Sequence, residues 1–104
     1  MPTLSKCELA WVSFMEHTEI KHYLWAGFRK ERSEERYHTT QKPLDIMRWC
    51  LQFLPEAQII LDPFAGSGTT LVAAKQEGKK FIGIEISEKY CKIARDRLKQ
   101  GVLL

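Results

Sequence analysis

The sequence has few cysteines and no long apolar run, and these absences exclude several classes of protein. Its three cysteines, Cys7, Cys50 and Cys91, are scattered and odd in number. They are therefore expected to be free thiols in a reducing cytoplasm. His17 and His22 form no metal-binding pattern with them, so no metal site is predicted. No apolar run approaches the ~18 residues of a membrane span, and the first residues lack the apolar stretch of a secretory leader.

Length and composition favour one small folded domain. At 104 residues the chain can form a modest core, because a chain of this size buries roughly two-thirds of its unfolded surface. A content of 44% hydrophobic and 28% charged residues is typical of folded proteins and argues against disorder. The net charge of +3 permits a nucleic-acid partner without requiring one.

The most informative feature is the stretch 62–70, which reads Asp-Pro-Phe-Ala-Gly-Ser-Gly-Thr-Thr. It follows the apolar run 59–61 and precedes the helix-forming residues 71–74, an order that predicts a strand, a tight turn and a helix start. Gly66 and Gly68 allow the backbone to turn sharply and to approach a ligand closely, and the N–H groups of the new helix point toward the turn. This arrangement is typical of a site for a nucleotide-type cofactor.

The stretch differs from the dinucleotide-binding fingerprint. A third glycine of the Gly-x-Gly-x-x-Gly pattern would fall at Leu71, so a pyrophosphate is not the favoured ligand. Glu85 follows the second apolar run, 81–84, where a carboxylate at a strand end can accept hydrogen bonds from both hydroxyls of a ribose. The alternative is that the glycines form only a tight turn, but the flanking strand, the helix and Glu85 together favour a cofactor site.

The order of the predicted elements indicates an α/β fold. The apolar runs 58–61 and 80–85 are predicted strands. One helix is predicted to have Pro43 at its first position. A later helix is predicted to have Ser87 as its N-cap and to end at Gly101. Strands that alternate with helices in this way form a parallel sheet with right-handed crossovers.

The part before residue 37 has a different character. The apolar run Leu9–Phe14 is a candidate strand, and Trp11 and Trp49 are expected in the core. Residues 23–36 mix aromatic and charged side chains, with Trp25 undecided between core and surface. This segment has two open interpretations: a surface that contacts DNA phosphates and an extruded base, or a solvated helix or loop with alternating charges.

Two sequence elements together resemble a known family. The stretch 62–70 matches the cofactor loop Asp-Pro-Phe-x-Gly-Ser-Gly-Thr-Thr of the N6-adenine and N4-cytosine DNA methyltransferases of bacteria and phages. Residues 38–43 read His-Thr-Thr-Gln-Lys-Pro, similar to that family's His-Pro-Thr-Gln-Lys-Pro element with Thr39 in place of the first proline. A weaker similarity covers residues 7–14, so nearly the whole chain resembles the subgroup in which the glycine loop comes late.

The resemblance implies a partial Rossmann-like S-adenosylmethionine-dependent methyltransferase fold. The glycine loop would shape the pocket for the methionine part and sulfonium of S-adenosylmethionine, and the upstream element would lie near its carboxylate. Glu85 would bind the ribose, and Ile86 would pack on the adenine ring. The cofactor-binding residues implied in this way are Thr40, Lys42, Asp62, Phe64, Gly66, Gly68, Thr69, Glu85 and Ile86.

The catalytic element of the resembled family is absent from the sequence. In these enzymes an Asp/Asn/Ser-Pro-Pro-Tyr/Phe/Trp tetrapeptide holds the exocyclic amine and stacks on the flipped base, and no such tetrapeptide occurs here. Asp62-Pro63-Phe64 is the nearest string, but it already forms the first turn of the cofactor loop, so no catalytic residue is assigned. The chain thus resembles the C-terminal portion of such an enzyme. Residues 1–37 would be the end of its target-recognition region, and residues 38–104 a cofactor-binding βαβα unit.

By resemblance, the complete enzyme would flip a base toward the sulfonium methyl, and the amine nitrogen would attack directly without a covalent enzyme intermediate. The implied function is cofactor binding in a site-specific cytoplasmic DNA methyltransferase of a restriction-modification system or phage, with adenine N6 preferred over cytosine N4. Expected partners are DNA and either a second copy of the chain or a missing N-terminal catalytic half. Two alternatives stay open: a non-catalytic module or subunit of a split enzyme, and a methyltransferase that acts on RNA or protein.

Overall fold

The computed structural model describes residues 10–14, 19–22 and 41–100. Within these residues β1 and β2 pair in parallel as a two-stranded sheet, which confirms the predicted α/β fold. No helix in the part of the chain that the structure describes is long and apolar enough to cross a lipid bilayer. The elements in chain order are α1 (Leu44–Gln52), β1 (Ile59–Asp62), α2 (Thr69–Gln76), β2 (Lys80–Gly83) and α3 (Glu88–Lys99).

The helix starts follow from local chemistry. Pro43 has an extended backbone (φ −62°, ψ 138°), and its carbonyl accepts a hydrogen bond from Met47 N–H at 3.2 Å. It is therefore the N-cap of α1, one position before its predicted place as the first helical residue. Ser87 is the N-cap of α3 as predicted, because its Oγ accepts a hydrogen bond from Tyr90 N–H at 3.3 Å. The predicted stop at Gly101 lies outside the described residues.

The core lies between one face of the sheet and the helices α1 and α2. Ile60 and Phe81 are partners in the β1–β2 register, and paired residues of parallel strands share a face. Ala73 and Ala74 of α2 are fully buried, and their small side chains allow this helix to lie close to its neighbours. The buried cluster consists of Leu51, Ile60, Ala73 and Ala74, with Leu44, Met47, Ala57 and Phe81 packed against it.

The opposite face of the sheet is apolar but exposed. Leu61 and Ile82 are partners in the register and point away from the core residues that precede them in their strands. Ile59 and Ile84 extend the same face, and all four side chains are more than half exposed. Parallel sheets are normally covered on both faces. We call these four residues the open face.

Hydrogen bonds from two basic residues join α1 and its following loop to the start of β2. Arg48 Nε on α1 donates at 2.8 Å to Oε2 of Glu77, the residue that follows α2. Lys79 Nζ donates to the carbonyl oxygens of Leu54 at 2.8 Å and Ala57 at 2.7 Å. These contacts fix the end of the sheet at which β2 begins, opposite the glycine turn.

The prediction of a strand at Leu9–Phe14 is wrong for residues 10–14, the part of it that the structure describes. Residues 10–14 form no strand, and Ser13 and Phe14 lie in a turn. Trp11, which was expected in the core, is 88% exposed. An apolar run forms a strand only where a neighbouring strand accepts and donates its hydrogen bonds, and β1 and β2 pair with each other.

The burial of Trp49 and His22 can also be compared with the predictions. Trp49 is only half-buried and contacts Phe53 edge to face, with ring centroids 5.1 Å apart. His22 is exposed, as expected for an ordinary surface residue. The segment 23–36, with its two interpretations, lies outside the described residues, as does the candidate His38 element up to Thr40.

Candidate cofactor-binding site

The turn between β1 and α2 is built on two glycines. Gly66 and Gly68 have φ values of +56° and +87°, in the left-handed region that other residues rarely adopt. Gly68 is the N-cap of α2; its N–H donates to Ala65 O and its carbonyl accepts from Val72 N–H, both at 2.9 Å. The first N–H groups of α2 have no carbonyl partner within the helix. The positive end of the helix dipole is therefore directed at the turn.

Gly68 is also required by packing. A Cβ at this position would lie 2.8 Å from Ala94 Cβ on α3, closer than real side chains approach. The turn is thus pressed against α3 at the point where the backbone changes direction. Both the backbone angle and the contact favour glycine here.

Glu85, which was predicted to bind a ribose from its place after the second apolar run, is held against this turn. Its Oε1 accepts a hydrogen bond from Gly66 N–H, and its Oε2 accepts one from Ser87 N–H, both at 2.8 Å. Its backbone carbonyl accepts from Cys91 Sγ–H at 3.1 Å. The two N–H bonds, one to each carboxylate oxygen, fix its orientation at the turn.

Backbone hydrogen bonds join the two strand ends. Ile84 N–H donates to Asp62 O, and Ile84 O accepts from Ala65 N–H, both at 2.9 Å. β2 itself ends at Gly83 and not at the predicted Glu85. Ile84 is therefore bonded to the last residue of β1 through its N–H and to the turn through its carbonyl, which places Glu85 beside the glycines.

Asp62, Phe64 and Ile86 lie at the same end of the sheet. Asp62 Oδ1 accepts a hydrogen bond from Phe64 N–H at 2.9 Å, which tightens the first turn of the loop. Phe64 and Ile86 are 88% and 98% exposed. Large apolar side chains with this exposure beside a fixed carboxylate form a surface suited to a flat, partly apolar ligand.

The upstream element reaches the loop through a residue that was not predicted. Thr40 lies outside the described residues, and Lys42 is exposed. Between them, Gln41 is buried, and its Oε1 accepts a hydrogen bond from Ser67 Oγ at 3.3 Å. The expected proximity of the two sequence elements is therefore present, while the role of Lys42 stays a prediction.

Arg97 of α3 is a second unpredicted contact to the loop. Its Nη1 donates to Ser67 O at 3.0 Å and to Thr69 Oγ1 at 3.1 Å. The Thr69 hydroxyl is therefore directed to α3, which leaves its backbone N–H for a role in the pocket. The available signal was position: Arg97 is three residues after Ala94, so the two residues lie on the same face of α3.

A metal centre has no support in this region. Among residues 10–14, 19–22 and 41–100, no three His, Cys, Asp or Glu side chains cluster as metal ligands do. The arrangement instead offers backbone N–H groups, one fixed carboxylate and an apolar surface, which suit a neutral or cationic organic cofactor.

Comparison with known proteins identifies the family. Residues 9–96 match the family model N6_N4_Mtase, described as DNA methylase. The chain belongs to this family. The resemblance inferred from the glycine loop and the upstream element is thereby confirmed.

Three methyltransferases illustrate the similarity. The Type II methyltransferase M2.LlaDCHI of Lactococcus lactis subsp. cremoris is 48% identical over 81 residues, or 75% of this chain and 30% of its own length. M.HindIII of Haemophilus influenzae is 50% identical over 68 residues, 64% of this chain and 22% of its own. M2.DpnII of Streptococcus pneumoniae is 46% identical over 78 residues, 72% of this chain and 29% of its own. The chain thus spans less than a third of the length of these relatives.

Solved structures show the same fold. The M1.HpyAVI complex with SAM superposes with a TM-score of 0.56 and 42% identity, over 61% of this chain and 32% of that protein. TTHA0409 of Thermus thermophilus is a putative DNA modification methylase complexed with S-adenosyl-L-methionine. It superposes with a TM-score of 0.51 and 35% sequence identity, over 54% of this chain and 24% of that protein. The chain has part of the Rossmann-like fold of these methyltransferases.

Proposed function

We propose that this chain is the S-adenosylmethionine-binding portion of a site-specific DNA methyltransferase that modifies an exocyclic amino group, with adenine N6 preferred over cytosine N4. The observation that carries the proposal is the hydrogen bond between Gly66 N–H and Glu85 Oε1. It joins a glycine turn, which admits a ligand close to the backbone, to a carboxylate suited to ribose hydroxyls. Family membership and the two cofactor-bound structural relatives support it.

The residues present fit the chemical groups of this cofactor. Glu85 is fixed in orientation and would accept from the ribose hydroxyls, and the exposed Ile86 would cover one side of the adenine. Asp62, Phe64 and the glycine turn would surround the methionine part and the sulfonium, for which a carboxylate and an aromatic face are favourable neighbours. When bound, S-adenosylmethionine would supply an activated methyl group.

The cofactor carboxylate would be bound by the upstream element and the helix start. Lys42 and Thr40 would lie near it, and Thr69 would offer its backbone N–H at the first position of α2. Ammonium and helix N–H groups are the donors that a carboxylate prefers. Gly68 would allow the closest approach of the backbone.

Transfer of the methyl group would require a further polypeptide segment. The sequence has no Pro-Pro tetrapeptide to hold the target amine, and Asp62 already accepts from Phe64 N–H within the loop. We propose that residues 38–104 form the cofactor unit, and that residues 1–37 belong to the region that contacts DNA. The relatives are Type II methyltransferases, which supports a cytoplasmic restriction-modification setting.

A non-catalytic cofactor-binding module, or a subunit of a split methyltransferase, is the second candidate. The missing tetrapeptide favours it over a methyltransferase for RNA or protein, since nothing among the described residues points to either of those substrates. Both the main proposal and this candidate require cofactor binding. They differ in methyl transfer to DNA: a polypeptide that carries the tetrapeptide would restore transfer to an enzyme portion or a split subunit, but not to a non-catalytic module.

Two measurements test these candidates: cofactor binding, which all of them require, and methyl transfer to DNA, which separates them. Titration calorimetry should show that the 104-residue chain binds S-adenosylmethionine, and absence of binding would overturn the proposal. Transfer of a radiolabelled methyl group to unmethylated genomic DNA should be at background for the chain alone. It should rise when a polypeptide that carries the tetrapeptide is co-expressed, because positioning alone accounts for about 7 to 11 kcal/mol of such a barrier. Transfer at a normal enzymatic rate by the chain alone would contradict the proposal that it is only the cofactor-binding portion of the enzyme. Asp62 and His38 would then be the first residues to mutate.

A further inference from the structure

A buried arginine links α3 to the glycine turn. Arg97 is only 9% exposed, although arginines are almost never buried without partners. Its Nη1 donates to Ser67 O at 3.0 Å and to Thr69 Oγ1 at 3.1 Å, across 30 and 28 residues of sequence. The hydrogen bonds to the cofactor turn therefore offset part of the cost of burying this cation.

The hydrogen bonds continue beyond the turn. Ser67 Oγ lies 3.4 Å from Arg97 Nη1 and donates to Gln41 Oε1 at 3.3 Å. Gln41, Ser67, Thr69 and Arg97 are all buried, and we call them the polar cluster. It joins the upstream element, the glycine turn and α3, three segments that are far apart in sequence.

The polar cluster holds the backbone on both sides of Gly68. Ser67 and Thr69 flank this glycine, and Ala94, one turn before Arg97 on α3, occupies the space that a Gly68 side chain would need. α3 therefore presses on the turn at Gly68 and is hydrogen-bonded to both of its neighbours. By contrast, the carboxylate proposed to bind the ribose is bonded to Gly66, on the other side of Ser67.

We propose that Arg97 is a positioning residue for the amino-acid end of the cofactor. It fixes the backbone of Ser67–Thr69, so that the N–H groups at the start of α2 face the methionine part of S-adenosylmethionine. The adenosine end depends instead on Glu85 and Ile86. This inference rests on the proposed function, since it assigns a role within that binding site.

The test compares two ligands that differ at the amino-acid end. S-adenosylmethionine has this end, and 5′-methylthioadenosine lacks it. Calorimetry is performed on the full chain and on Arg97→Met, Arg97→Lys and the matched control Arg95→Met, whose arginine is exposed on the same helix. We expect Arg97→Met to weaken S-adenosylmethionine binding by about 10-fold or more, equivalent to about 1.4 kcal/mol. The affinity for 5′-methylthioadenosine should change less than about 2-fold, and Arg95→Met should change neither affinity.

Arg97→Lys provides a second measure, because lysine keeps the charge but lacks the longer, planar guanidinium group whose Nη1 donates to both Ser67 O and Thr69 Oγ1. We expect an intermediate loss of S-adenosylmethionine affinity, with faster amide hydrogen exchange at Ser67–Thr69 and unchanged exchange in α1. A purely structural role would weaken both ligands equally in the Arg97 variants, and that result would overturn the proposal. Unchanged S-adenosylmethionine affinity in Arg97→Met, or failure of both Arg97 variants to fold, would overturn it as well. If the unaltered chain binds neither ligand, the proposed function fails and this inference fails with it.

Discussion

Glu85 Oε1 accepts a hydrogen bond from Gly66 N–H at 2.8 Å, which connects the end of β2 to the turn after β1. With the second bond from Ser87 N–H, the carboxylate is oriented before any ligand arrives. A preorganised acceptor loses little conformational freedom when a ligand binds. Glu85 is therefore expected to contribute to affinity as well as to the shape of the turn.

Substitution of Glu85 by alanine should weaken S-adenosylmethionine binding roughly 10-fold to 150-fold. Hydrogen bonds that involve a charged group contribute about 1.5 to 3 kcal/mol, and this range converts to that loss. Calorimetry measures the effect, with Glu56→Ala as the control because Glu56 is an exposed glutamate in the loop after α1. Equal affinity in the Glu85 variant would remove this residue from the site.

Gly68→Ala should destabilise the chain more than Gly78→Ala. Both glycines have positive φ, at +87° and +74°, which costs other residues roughly 1 to 2 kcal/mol. Only at Gly68 would the added Cβ meet a neighbour, Ala94 Cβ at 2.8 Å, whereas nothing lies within 4 Å of a Cβ at Gly78. Overpacking adds typically about 1 to 3 kcal/mol. Urea unfolding compares the two variants. Equal free energies of unfolding would show that the contact between residue 68 and Ala94 does not add to the cost of the substitution.

The open face should drive self-association or binding of a partner polypeptide. Four large apolar side chains are more than half exposed there. Full burial of an exposed side chain of this size is worth about 1.5 to 3 kcal/mol, and roughly half of that is still to be gained at each. Light scattering at micromolar concentration should show a dimer or a larger species. The double variant Ile59→Lys with Ile82→Lys should shift the chain toward monomer, because charges cannot be buried in such a contact. A well-folded monomer of the unaltered chain would contradict the prediction.

Cys50 should make stability fall at alkaline pH. Burial raises the pKa of its thiol above the ordinary value of 9.0. The folded state then keeps its proton at a pH where the unfolded state has lost it. The stabilising contribution is full below pH 9.0 and is lost as the pH rises toward the folded pKa, with a slope of at most about 1.4 kcal/mol per pH unit.

Urea unfolding at about pH 7 and about pH 10 checks this effect, with Cys50→Ala as the comparison. Lysines and tyrosines also titrate in this range, so the informative quantity is the difference between the two proteins. The alanine variant should lose less stability on the alkaline side. An identical loss in both proteins would show that Cys50 does not contribute.

The sequence was sufficient for the parts of the fold that depend on local chemistry. Apolar runs at 59–61 and 81–84, two glycines and the N-cap Ser87 each act within a few residues, so the order strand, helix, strand, helix followed from them. The position of Glu85 after the second apolar run also followed from the sequence, whereas its hydrogen bond to the turn was not predicted. The second strand was predicted to end two residues too late, since the Ile84 carbonyl accepts from Ala65 N–H in the turn and the strand pairing stops there.

The parts that depend on distant contacts were missed. Arg97 was passed over because arginine is usually a surface residue, and its partners lie about 30 residues away in sequence. Gln41 was passed over in favour of Lys42, whose charge suggested a ligand, although Gln41 is the residue bonded to the turn. Trp11 was placed in the core on residue type alone, and it is exposed because neither β1 nor β2 pairs with its segment.

The parallel pairing of β1 and β2 across α2 has a consequence for how the chain folds. Ile59 pairs with Lys80, so the loop that must close between the strands has roughly 20 residues and a low entropic cost. The β1–α2–β2 unit is therefore expected to form early, before segments that must find it from further away. During that interval the four apolar side chains of the open face are accessible to other incompletely folded chains. The rate at which a polypeptide segment covers the open face would then decide between productive assembly and aggregation.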